Sequence, residues 1–193
     1  KQESMGISSS IYGRLFASYI VSDNGSINLD KGVQPRVEPE IGLKIDQPLT
    51  GPVTGLDVLH ASSCVFPCLE VLDSRFKDYN FSLPDVIADN TSAFRVVLGP
   101  SAGSPQVYDL ESLGVVLRKN GRVVATGATG ATLGNPLNAA AELVNVLSQQ
   151  GRDGLKPGMI VITGGITDAV SVSSGDYVQT SIQQIGTMEL DCN

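Results

Sequence analysis

The 193-residue chain contains a single histidine, and that scarcity removes several chemistries at once. Any Ser-His-Asp or Cys-His relay would have to run through His60. The segment around it, DVLHASS, supplies no group to orient its ring, so a structural role is expected for it. Cysteine is nearly as scarce. Cys64, Cys68 and Cys192 form no C-x-x-C pair and have no clustered histidine, which excludes the usual zinc ligand sets. An odd cysteine count without dense spacing reads as free thiols of a reducing compartment, and a cytoplasmic location is expected. Positive charge is short as well: 13 Lys and Arg stand against 20 Asp and Glu, a formal net charge of −7. That balance disfavours nucleic acid and anionic membrane as partners, since both require a positive footprint. No apolar run reaches the roughly 18 residues needed to span a bilayer. The start, KQESMGI, carries neither an initiator Met nor a signal-peptide pattern and reads as a cut end. The glycine-rich stretch GATGATLGNP is neither G-x-G-x-x-G nor a Walker loop, because no Lys-Ser/Thr follows. It is expected to be a tight loop feeding a helix, with backbone amides able to face an anionic substrate.

What is present describes an ordinary globular chain, with 41% hydrophobic and 17% charged residues, long enough for one domain spanning 1–193. Turn formers are spread throughout (21 Gly, 10 Pro), which suits many short strands. Residues 13–22 begin apolar and end in the turn SDNGS. Residues 33–45 alternate in part and predict a strand, and Pro39 within it predicts an edge or irregular one. Residues 56–68 are expected to open as a short helix, with Thr54 or Asp57 near its start. Residues 64–72 are an apolar run broken by one acid, Glu70. A helix or turn is expected around residues 84–90, followed by a strand ending at Gly99. Two β-rich runs flank Asn120-Gly121, a type I′ hairpin signal. The clearest helix has Asn135 as N-cap, Pro136 at its first position, apolar residues through Leu147 and Gly151 just past its end. LKPGMIVITGG predicts a turn and then a strand. No internal repeat is present. The reading is α+β, a β-rich mixed-sheet domain with one good amphipathic helix.

Three acids carry the chemistry. Glu38 and Glu40 flank Pro39 on an extended segment, so their side chains point to one face, where like charges repel unless a cation or protons intervene. A solvated strand face is the alternative for this pair. Glu70 lies in VFPCLEVLD with apolar neighbours on both sides, so its carboxylate is expected to be at least partly buried. A buried carboxylate must protonate, pair or bind a metal. Arg75 is the nearby partner for a plain salt bridge. Three carboxylates without usable His or Cys form a hard oxygen environment that selects Mg²⁺ or Mn²⁺ over zinc.

The segments MGISSSIYGRL, QPRVEPEI, LEVLDSR, VIADNTSA, LGNPLNAAAELVN and ITGGITDAVSV resemble those of a known family. This is the hydratase/decarboxylase group of the aromatic meta-cleavage pathways, relatives of the fumarylacetoacetate hydrolase C-terminal fold. The resemblance runs from about Met5 to about Gly186. It implies that Glu38, Glu40 and Glu70 are the ligands of Mg²⁺ or Mn²⁺, and that Ile11, Leu83, Gly164 and Gly165 lie against the substrate. It also implies a helical segment ahead of the first residue here, carrying an acid/base lysine in a G-x-K-x-G-L-T-S-like motif. The chain is therefore expected to be N-terminally truncated, and no catalytic lysine is assigned in it. Asp73, Arg75, Asp89 and Asn90 are expected to order loops around the ligands.

Two branches of that group compete: DSRFKDYNFSLPDVIADN and GGITDAVSV look more like decarboxylases, LGNPLNAA leans toward hydratases, and one further position helps to separate them. Hydratases carry an acid in a P-D-(F/Y)-G segment, where this chain has Ile11 in Ser10-Ile11-Tyr12-Gly13. Adding water across a diene needs an acid, so the resemblance implies the decarboxylase: metal-dependent conversion of 2-oxohex-3-enedioate (4-oxalocrotonate) to 2-hydroxypenta-2,4-dienoate. The alternatives are 2-hydroxypenta-2,4-dienoate hydratase, a carbon–carbon hydrolase, and a catalytically silent truncated partner subunit. Expected partners are a small 2-oxo dicarboxylic acid, the hydratase of the same pathway and further copies of the chain, with no nucleic acid and no membrane.

Overall fold

The strand patterns of residues 36–45 and 62–72 decide the architecture, because each strand is long and buries nearly its whole length. The structure is a computed structural model and describes residues 10–193; residues 5–9 of the MGISSSIYGRL segment lie outside them. Along the chain run β1 (Ile20–Ser22), β2 (Gly25–Ile27), β3 (Arg36–Ile45), α1 (Gly55–Ala61), β4 (Ser62–Leu72), α2 (Leu83–Ala88), β5 (Ala93–Leu98), β6 (Gly114–Lys119), β7 (Arg122–Ala128), α3 (Pro136–Gln149), β8 (Ile160–Ile162), β9 (Val170–Ser171), β10 (Tyr177–Ile182) and β11 (Gly186–Cys192).

These strands form two sheets. One has the order β1-β5-β4-β3-β8, with β9 pairing further along β3; the other has the order β2-β11-β10-β6-β7. Pairing is antiparallel except where β1 meets β5 and β2 meets β11. The sheets meet through an apolar layer in which Val37, Leu69, Val71 and Val97 of the first sheet pack with Leu117, Val178, Met188 and Leu190 of the second. A second cluster lies beyond it, where Ile41, Leu43 and Ile45 of β3 meet Val58 of α1 and Ala140, Ala141 and Val144 of α3. Each fully buried aliphatic side chain of this kind contributes about 1.5–3 kcal/mol. Odd-numbered residues of β3 and β4 face these cores, which leaves the even-numbered ones for the opposite face.

Local signals set the helix and turn boundaries. Thr54 caps α1 and Asp57 answers it in a capping box, so both candidate start residues take part. Asn135 caps α3, its Oδ1 accepting from Leu137 N at 2.9 Å, and the helix continues two residues past Leu147 to Gln149. Asn120 (φ 52°) and Gly121 (φ 77°) make the β6–β7 hairpin turn with two positive φ values, as type I′ requires.

One expectation fails. Pro39 does not mark an edge: β3 is an interior strand with β4 on one side and β8 and β9 on the other. The missing N–H is tolerated because β8 ends at Ile162 and β9 begins at Val170. Between them the backbone bonds to the β3 backbone at single points, Thr163 N to Ile41 O (3.1 Å) and Ile166 N to Pro39 O (2.9 Å). Proline can supply an acceptor there but no donor, and only an acceptor is required.

The approach to β8 is tied down at Leu49 and Leu155, which exchange two backbone hydrogen bonds of 2.9 Å. Beside them, a Cβ added at Gly154 would lie 1.8 Å from Leu49 O, so the two backbones meet only because residue 154 has no side chain. Gly154→Ala is expected to destabilise the fold by roughly 1–3 kcal/mol, read as a lower urea midpoint at unchanged slope.

Candidate metal centre

Strand periodicity and register bring the three acids together. Glu38 and Glu40 share the even-numbered face of β3, and the antiparallel ladder sets Glu38 opposite Glu70 and Glu40 opposite Cys68. All three carboxylates are buried, at 2% (Glu38), 0% (Glu40) and 7% (Glu70) exposure. Each offers an oxygen, and these oxygens lie within 4.8 Å of one another. The solvated strand face is thereby excluded. The salt bridge to Arg75 is not formed either, because the Arg75 guanidinium pairs with Asp89.

The loop that leaves β8 supports this cluster. Gly164 adopts φ +102° and its N–H donates to Glu40 Oε2 at 2.8 Å. A side chain would strain that backbone conformation, which aims the amide at the carboxylate. Its carbonyl accepts from Thr132 Oγ1 at 3.3 Å, linking the loop to the glycine-rich segment ahead of α3. Gly165 lies against Glu38: a Cβ there would fall 2.5 Å from both Cδ and Oε2 of the carboxylate. Burial pushes the Cys68 thiol well above its ordinary range, and the charges of Glu40 and Glu70 push it in the same direction, so it stays a neutral neighbour.

Glu40 and Glu70 line a groove of about 1180 Å³, together with Ile11, Gly164 and Gly165. Leu83 does not line it; that residue opens α2. His60 is exposed in the last turn of α1 and lies outside the groove. The residues expected to order loops do so. Asp73 accepts from the backbone N–H of Val33 and of Gln34, the latter at 2.7 Å. Arg75 reaches the carbonyls of Asp73 and Asp89 as well as the Asp89 carboxylate. Asn90 holds residue 14 through two hydrogen bonds, accepting from Arg14 N (2.8 Å) and donating to Arg14 O (2.9 Å).

Sequence reasoning missed other groove residues, among them Tyr12, Arg14, Thr132 and Arg152. Tyr12 and Arg14 stand in the same short segment as Ile11 and were within its reach. Arg152 follows α3 in a polar loop and carries no local signal. Chemically the cluster suits a hard divalent cation. Three buried carboxylates supply anionic oxygens that cost several kcal/mol each to desolvate without a compensating charge, and a groove adjoins them for substrate.

Comparison with known proteins shows the family. Residues 7–192 match the fumarylacetoacetate (FAA) hydrolase C-terminal family. The chain is 39% identical over 189 residues to a 4-oxalocrotonate decarboxylase of Pseudomonas putida, covering 97% of this chain and 71% of the relative. It is 40% identical over 152 residues to a 2-hydroxypent-2,4-dienoate hydratase of Pseudomonas putida, covering 78% and 68%. A solved structure of 4-oxalocrotonate decarboxylase from Pseudomonas putida G7, complexed with magnesium and adipate, superposes with TM-score 0.94 and 38% identity, covering all of this chain and 73% of that one.

Gly165→Ala must displace a packed glutamate. In the presence of chelator it is expected to lower stability by about 1–3 kcal/mol in urea denaturation; an unchanged midpoint would show that the loop gives way freely.

Proposed function

The chain belongs to the fumarylacetoacetate hydrolase C-terminal family, and from that footing we propose that it is a metal-dependent carbon–carbon lyase converting 2-oxohex-3-enedioate (4-oxalocrotonate) to 2-hydroxypenta-2,4-dienoate and CO₂. The observation that carries this reading is the trio of buried carboxylates beside a groove, in a chain so similar along its length to decarboxylases of that substrate. Glu38, Glu40 and Glu70 are the proposed ligands of Mg²⁺ or Mn²⁺. When bound, such a cation supplies Lewis acidity at the 2-oxo end of the substrate, an effect worth several kcal/mol.

The remaining roles belong to the protein. The Gly164 N–H holds one Glu40 oxygen, which fixes the orientation of that carboxylate. Gly165 leaves the space that Glu38 occupies. In the substrate the departing carboxylate is vinylogously β to the ketone. As the bond between C5 and C6 breaks, its electron pair moves through the conjugated chain to the 2-oxo oxygen, which takes up a proton to give the dienol. Ile11 presents an apolar side chain to the groove and excludes water from around the carboxylate that leaves. Gly164 and Gly165 offer close backbone approach to the substrate's 2-oxo end.

Adipate, found with magnesium in the similar decarboxylase, has the same six-carbon diacid skeleton as this substrate. A second reading, 2-hydroxypenta-2,4-dienoate hydratase, is supported by the 40% identity to such an enzyme. Ile11 speaks against it, because it stands where hydration needs an acid. Association with the pathway hydratase and with further copies of the chain belongs to the same proposal; Val107, Val33 and Leu56, at 73%, 69% and 61% exposure and outside the groove, leave apolar surface for such contacts. A cytoplasmic setting fits three free thiols. Among the described residues no helix is long and apolar enough to cross a membrane.

The deciding assay supplies 2-oxohex-3-enedioate and Mg²⁺ with and without chelator and follows CO₂. Metal-dependent release is expected. Absence of CO₂ together with hydration of 2-hydroxypenta-2,4-dienoate would transfer the chain to the hydratase branch. Glu70→Gln is expected to weaken Mg²⁺ binding by more than about tenfold in calorimetry and to lower turnover with it. Ile11→Asp is expected to cut CO₂ release by about tenfold or more, because it places a charge where the carboxylate must be desolvated.

A further inference from the structure

Residues 10–14 form a strap between two cavities. The larger is the carboxylate-lined groove; the smaller, of about 400 Å³, opens between the strap, Ile87 and Asn90 near the end of α2, and Val146 and Gln150 near the end of α3. Both are lined by the strap and by Arg152, so they adjoin along it. Their charged linings differ. The groove has Glu40, Glu70, Glu142 and Asp153 in its wall beside Arg14, Arg152 and Lys156, whereas among the described residues no carboxylate lines the smaller cavity, whose charged residues are the same Arg14 and Arg152.

The two arginines are held in place without being neutralised. The backbone of Arg14 is gripped on both sides by the Asn90 side chain. Arg152 Nη1 donates to the Tyr12 hydroxyl at 2.6 Å, and that hydroxyl donates to Gln150 Oε1 at 2.7 Å. Among the described residues neither guanidinium has a carboxylate partner, in contrast to Arg75 with Asp89 and to Lys156, on the groove wall, with Asp153 at 2.6 Å.

We infer that Arg14 and Arg152 form a second carboxylate-binding subsite beside the groove, which takes up the far carboxylate of a dicarboxylate substrate as it binds. The inference rests on the dicarboxylate reading of the groove. A chain of net charge −7 with three clustered glutamates repels a dianion, and two exposed guanidiniums along the boundary of the two cavities, without a carboxylate partner among the described residues, offset that repulsion. Guanidinium is suited to the task because its fork matches a carboxylate. The role is confined to binding. A cation kept on the departing carboxylate through bond cleavage would stabilise the charged ground state, whereas Ile11, on the same strap, offers the apolar wall that cleavage needs.

The test compares adipate with hexanoate, a diacid with a monoacid of equal length, binding to the Mg²⁺-loaded chain in calorimetry. The double variant Arg14→Gln/Arg152→Gln is expected to lose about tenfold in adipate affinity while hexanoate changes by less than about twofold. Lys31→Gln, an exposed cation outside both cavities, serves as the control for net charge and is expected to leave both affinities in place. Thermal unfolding checks that the double variant remains folded. An unchanged adipate-to-hexanoate ratio in the double variant, or an equal fall in the Lys31→Gln control, overturns the subsite. With 2-oxohex-3-enedioate the double variant should raise KM about tenfold at nearly constant kcat; a fall in kcat at constant KM also overturns it. The two readings fail separately. Loss of adipate preference in a chain whose wild type releases no CO₂ keeps the subsite and removes the decarboxylase, whereas CO₂ release with an unchanged preference does the reverse.

Discussion

Three carboxylates occupy one patch of sheet face, each more than nine-tenths buried, with an oxygen of each within 4.8 Å of the others. Like charges taken out of water at that spacing raise the free energy of the fold by several kcal/mol unless a cation or protons answer them. Much of the surrounding structure can be understood as holding that cluster in place. The β3–β4 ladder sets Glu38 against Glu70. The Gly164 amide directs one oxygen of Glu40, and Gly165 leaves a hollow for Glu38. Beneath them the opposite face of the same strands packs into two apolar clusters, which supply the stability that the acids spend.

The interruption between β8 and β9 is part of the same arrangement. A continuous ladder along β3 would commit the amides beside it to strand pairing and leave no residue free to turn its amide toward Glu40. Pro39 prevents that ladder from closing, because it offers no donor at the centre of the strand. The chain then arches between Thr163 and Ile166, and the two glycines stand at the top of the arch. A residue that sequence rules assign to sheet edges here occupies an interior strand, since its missing N–H coincides with a gap the site requires.

Around the carboxylates, charge is distributed unevenly. The groove wall holds Glu40 and Glu70, and the strap beside it carries Ile11 and Arg14, with Arg152 bonded to its Tyr12 hydroxyl. The family of the chain is shared by decarboxylases and hydratases that differ little in overall identity to it. In the proposed reading the strap bears on the choice between the two chemistries, since an acid at Ile11 would serve hydration and an apolar side chain serves loss of a carboxylate.

Much of this was legible in the sequence. The hairpin at Asn120-Gly121, the cap at Asn135 and the box at Thr54 and Asp57 are local, because each depends on backbone conformations that a few neighbouring side chains favour by themselves. The pairing of Glu38 with Glu40 on one face is also local, following from strand periodicity, and the apolar surroundings of Glu70 announced its burial. Tertiary structure decided what depends on register and on contacts between distant segments. It placed Glu70 opposite Glu38 and gave Arg75 to Asp89, and it put β3 inside the sheet. It also carried Arg152 across 140 residues of chain to the Tyr12 hydroxyl and set Leu83 outside the groove. Propensity and periodicity act over a few residues, so they fix which face a side chain takes on its own strand. Which partner it meets there is fixed only when remote strands are packed together.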